Sequence, residues 1–201
     1  MPLLFEHQLP HGDYQYKIRA ASNDLGKMAR VGEITVWAAR KHKNDENWEA
    51  FEIRMELHAD KGEIHLFAND KAEPIATLSI EKLPQAAISI LDSDLAETDP
   101  EQEIGLLEAM LDQINDGDAT AEIAELILDR FPTDPIIGCL VKGALSTVLG
   151  RVIRCWFPIR REVRPPSELL GMLGNCLGEN KWQMAKTFVW RSATCAMRLG
   201  F

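Results

Sequence analysis

The chain has 201 residues, 46% hydrophobic and 26% charged, with a formal charge of −9. Those are the figures of an ordinary soluble globular protein, and they exclude a chain too short or too polar to bury a core. The charge is unevenly laid out: residues 1–91 sum to −3, residues 92–134 to −13 with 14 acidic residues against one basic, and residues 135–201 to +7.

Residues 1–11 read as an extended lead-in with a few apolar anchors. His7 and His11 are four apart there, but Pro10 rules out pairing them on a helix. From Asp13 to Ala20, Tyr14, Tyr16, Ile18 and Ala20 alternate with Gln15, Lys17 and Arg19, the pattern of a half-buried strand. Glu33–Arg40 is a second strand, apolar on both faces and therefore central. Phe51, Ile53, Met55 and Leu57 then alternate with Glu52, Arg54, Glu56 and His58, the clearest period-two stretch in the chain. The Ala59–Gly62 turn returns it into Glu63–Ala68, and Pro74–Glu81 completes an antiparallel meander of about five strands.

Beyond residue 82 the period changes to that of helices; residues 84–91 fit a short helix, while Ala87-Ile88-Ser89-Ile90-Leu91 would also serve as a sixth strand, and periodicity does not arbitrate. Asp99-Pro100-Glu101 opens a helix to about Asn115, and a second acidic helix covers about Thr120–Phe131, so that 99–131 forms an acidic pair. Asp134 and Pro135 are start signals for a long apolar helix over 135–157, with Pro158 as its stop, about 22 residues and roughly 33 Å. Lys142, Arg151 and Arg154 within it argue against a membrane span, because a charge at bilayer centre costs about 2.5–3.5 kcal/mol. A buried central helix is expected instead, with Gly138, Gly143, Ala144, Ser146 and Gly150 admitting close neighbours. Basic helices follow over 167–199, and Trp182, Ala185, Phe188, Val189, Ser192, Ala196 and Leu199 recur at helical spacing in the last. The fold class is α+β: a sheet region, 1–82, then a helical region, 83–201, of four to five helices around the central one.

Cys139 and Cys155 lie on one helix, about 24 Å apart along its axis, and cannot bond to each other. Cys176 and Cys195 fall on separate helices, and no C-x-x-C pair occurs, so buried free thiols are expected. Met1-Pro2-Leu3-Leu4-Phe5-Glu6 carries no basic leader, which makes a cytoplasmic location the expectation.

The sequence holds no G-x-S-x-G, no phosphate-binding Gly-rich loop and no H-E-x-x-H, so no catalytic residues and no cofactor are assigned. A regular hairpin at Ala59–Gly62 would set Glu56 opposite His65 with His58 diagonal, a weak candidate metal set against the plainer reading of a solvated strand face. Charge gives the remaining readings. The first is a non-enzymatic regulator or inhibitor presenting Glu101, Glu108, Asp112, Glu122 and Glu125 to a protein partner with a basic surface. The alternative is a nucleic-acid-binding subunit using Arg160, Arg161, Arg164, Lys181, Lys186 and Arg191. A third is an enzyme acting on a small ligand or through a metal at a site the motifs do not reveal. No membrane partner is expected.

Overall fold

The computed structural model describes residues 2–23, 31–69, 71–82, 125–126, 129–131 and 134–198. The expected segments 84–91 and most of 99–131 lie outside the described residues.

The N-terminal part is a six-stranded antiparallel sheet in sequential order: β1 (Leu3–His11), β2 (Tyr14–Ser22), β3 (Val31–His42), β4 (Glu49–His58), β5 (Glu63–Ala68) and β6 (Ala76–Ser79), followed by a 3-10 turn at Ile80–Lys82. The lead-in expected to be merely extended is therefore an edge strand. Leu4 and Phe5 anchor it in the core, and Pro10 is tolerated because an edge strand can spare an N–H. Gly12, with φ of +57°, makes the two-residue turn into β2, a backbone state that costs glycine little. One face of the sheet is apolar throughout, with Ile18, Val36, Ile53, Ile64 and Leu78 in successive strands all buried. Burying each such side chain contributes about 1.5–3 kcal/mol.

Three helices follow among the described residues: α1 (Pro135–Ile159), α2 (Pro166–Glu179) and α3 (Lys181–Arg198). Of the 25 residues of α1, 19 are buried, so this long apolar helix is a core element. It packs against β2 and β3 on one side and against α2 and α3 on others. Asp134 caps it as expected, accepting from the Ile136 N–H at 3.0 Å. The stop came later than Pro158 suggests. The helix carries that proline in its last turn and ends when the Arg160 N–H closes on the Trp156 carbonyl. Sheet and helices share a single apolar cluster running from Leu4 through Trp156 to Phe188.

The four cysteines are paired, which corrects the expectation of free thiols. Cys139 bonds Cys195 and Cys155 bonds Cys176. The two cysteines of α1 are indeed out of each other's reach, but each meets a cysteine from a different neighbour. One bridge ties α1 to α3 and the other ties it to α2.

Candidate docking surface

Three polar constellations lie on or under the sheet. The most buried is at the mouth of α1, where Asp134 Oδ2 accepts from the Tyr16 hydroxyl at 2.7 Å and from Arg40 Nη1 at 2.9 Å. Arg40 also reaches Glu49 at 2.8 Å and lies over the rings of Tyr14 and Phe131, each 5.1 Å from its guanidinium carbon. Burial first, and the hydrogen bond to Asp134 second, push the Tyr16 hydroxyl well above its usual pKa. Every oxygen of Asp134 is committed, so this cluster joins the sheet to the helix start and offers no open position.

The second is the expected histidine set. The register is as predicted, with Glu56 opposite His65 and His58 opposite Glu63. The side chains do not converge, however. The two imidazoles lie ring against ring with centroids 4.3 Å apart, His65 Nε2 turns to Glu63 at 3.3 Å, and Glu56 lies 3.7 Å from His58 Nε2. Among the described residues no group of three potential ligands could hold a metal ion.

The third is a shallow depression of about 270 Å³ on the sheet face away from the helices, lined by Lys17, Arg19, Ala21, Thr35, Trp37 and Glu52. Lys17 is paired with Glu6 at 3.2 Å, and Arg19 and Glu52 bring opposite charges to the same row. The depression has no charge preference.

The charged sets fare unequally. Glu101, Glu108, Asp112 and Glu122 lie outside the described residues, and Glu125 is exposed. In the basic set, Arg160 pairs with Glu81 and covers the Phe157 ring. Arg164 is held by Glu162 at 3.5 Å and Glu168 at 3.2 Å. Arg161, Lys181 and Lys186 are exposed. Arg191 is only 3% exposed and donates to Thr147 Oγ1 at 3.3 Å, so it faces the core seam and not a phosphate.

That last contact exposes what periodicity hid. The side of α3 packed inward carries Met184 and Phe188 together with Arg191, Ser192 and Thr194, all buried. Phe188 stacks on Phe5 of β1, centroids 5.0 Å apart, and Ser192 sits against Gly143 of α1. The side facing water carries Trp182 at 72% exposure, Val189 at 45%, Trp190 at 49% and Met197 at 63%. At 100° per residue these four, with Ala193 and Lys186, fall within about one third of the circumference. Phe188 and Ser192 are inside as expected, whereas Trp182 and Val189, assigned to the same face, point outward. Lys186 extends over the Trp182 ring, its Nζ 5.3 Å from the centroid. The exposed side of α3 thus carries an apolar stripe with Lys186 set within it, while the buried side mixes Met184 and Phe188 with Arg191, Ser192 and Thr194.

Searches of family models, curated proteins and solved structures found no match for this chain.

Proposed function

We propose that the protein is a non-enzymatic binding protein whose working surface is the outward side of α3, and that its partner is macromolecular and anionic. The observation that carries this reading is the apolar stripe of Trp182, Val189, Trp190 and Met197 that α3 leaves in water although Met184 and Phe188 already give it a core side. An isolated surface helix turns its apolar side to the core, and an outward stripe this rich in Trp and Met marks a contact surface. The sign of the partner follows from charge. Residues 181–198 hold no carboxylate, and Lys181 and Lys186 among them are exposed, within a segment of +7. The test uses tryptophan emission, with Trp182→Ser/Trp190→Ser as the reference that isolates the two exposed indoles among the five tryptophans. Heparin, a single-stranded oligonucleotide and anionic vesicles are titrated at low salt. At least one should shift or quench the emission, with the response fading as salt rises. Silence toward all three would overturn the reading.

A second reading rests on sequence charge, namely the 14 acidic residues of segment 92–134 and the exposure of Glu125. In it those carboxylates engage a basic protein surface. Replacing Glu101, Glu108, Asp112, Glu122 and Glu125 by Lys should abolish capture of a polycation such as polylysine, and undiminished capture would dispose of it.

A further inference from the structure

We infer that the outward side of α3 docks on an anionic lipid bilayer, lying flat in its interface. The inference rests on the reading of α3 just given and names its partner.

Three occupants of the stripe can be compared on chemistry. A second copy of the chain would pair α3 with α3. That brings Lys181 and Lys186 against an identical helix with no carboxylate to receive them, and like charges repel. The stripe is also small for a dimer: its four large side chains expose roughly 500 Å², against about 800 Å² per partner in a standard interface. A nucleic acid strand needs a row of cations at phosphate spacing beside its stacking rings. Among the described side chains beyond Lys186, however, the exposed positions of α3 are Val189, Trp190, Ala193 and Met197, and the next cation, Arg191, is turned inward. The stripe is too apolar for that strand.

A bilayer surface fits both features at once. Tryptophan is favoured at headgroup depth, where its ring is half in hydrocarbon and its N–H remains wet. Val189, Ala193 and Met197 supply the shallow apolar side that an interfacial helix buries. Lys186, laid along the Trp182 ring, is placed to extend its ammonium back toward lipid phosphates. Lys181 at the helix start and Arg161 in the preceding connector, both exposed, add to the attraction of an anionic leaflet. The rest of α3 is pinned from behind by the Cys139–Cys195 bond and by Phe188 on Phe5. The helix can therefore dock without leaving the fold.

The experiment is co-sedimentation and tryptophan emission of the full chain with phosphatidylcholine vesicles containing about one third phosphatidylglycerol. The expected result is a blue shift, binding at least tenfold weaker to pure phosphatidylcholine, and a loss of at least tenfold in Trp182→Ser/Trp190→Ser with an unchanged far-UV spectrum. Lys186→Glu, which leaves the stripe intact, should weaken binding to the anionic vesicles alone. If the vesicles give no response while the oligonucleotide or heparin does, the lipid assignment falls and the anionic-docking reading stands. If no polyanion responds, both fall. Vesicle binding undiminished in the double serine variant, or a dimer at micromolar concentration that hides both tryptophans, would overturn the inference as well.

Discussion

Asp134 does the work of three contacts with two oxygens. It caps α1 through Ile136 and holds the Tyr16 hydroxyl and the Arg40 guanidinium of two adjacent strands. Removing the buried acid leaves the Tyr16 hydroxyl without its acceptor, Arg40 with Glu49 alone and the helix start uncapped, a loss of about 3–5 kcal/mol. Asp134→Ala is therefore expected to lower the urea unfolding free energy by about that amount. Tyr16→Phe, which deletes a single hydrogen bond and leaves the ion pair, should cost only about 1–1.5 kcal/mol. Tyr16 also sets an alkaline limit. Its hydroxyl titrates near 10 when unfolded and well above that when folded, so the folded state holds a proton that the unfolded state has released. The stabilisation is complete below pH 10 and decreases as pH rises past it. Unfolding followed against pH should show that downward slope in the parent and a flatter one in Tyr16→Phe. An identical slope in both would remove Tyr16 as the cause.

At the scale of elements, the fit between α1 and α3 is set by the smallest side chains. A Cβ built on Gly143 would stand 2.6 Å from Ser192 Oγ and 3.3 Å from the Ser192 backbone nitrogen. Gly143→Ala should thus destabilise by about 1–3 kcal/mol despite the better helix propensity of alanine. Adding Ser192→Ala, which removes the nearer atom, should restore part of the loss in a double-mutant cycle, and simple additivity of the two would refute the steric account. One bridge spans this same interface and the other joins α1 to α2. By loop length, with separations of 56 and 21 residues, they are worth about 4 and 3 kcal/mol. Reduction should lower the denaturation midpoint, Cys139→Ala/Cys195→Ala more than Cys155→Ala/Cys176→Ala.

These elements also show what could be read in advance. The pairing of Glu56 with His65 was legible because a strand with one buried side has a single workable register. The long helix was legible from Asp134, Pro135 and an unbroken apolar run. β1 was not, since a register shift between Leu3 and Phe5 buries the neighbours Leu4 and Phe5 together and breaks the alternation, and Pro10 argues against a strand. The orientation of α3 was not legible either. Which side a helix buries depends on what it meets, and here Gly143 and Thr147 of α1 meet Ser192 and Arg191. The bridges were not legible because each joins helices whose adjacency is a property of packing, not of spacing. The acidic residues on which the first functional expectation rested fall, apart from Glu125, outside the described residues.

For the molecule as a whole, the decisive feature is one apolar cluster drawn from both the sheet and the helices. Neither part can keep its core without the other, so unfolding should be a single transition with tryptophan emission and far-UV dichroism coincident. Two resolved transitions would mean that the parts fold independently. The bridges add a covalent consequence. Cys155–Cys176 closes a ring inside the larger ring closed by Cys139–Cys195, and the exposed Arg161 connector belongs to both. A protease that nicks the chain after Arg161 would open the rings without releasing a fragment. The clipped protein should migrate as one species on a gel until a thiol reductant is added, and only then come apart.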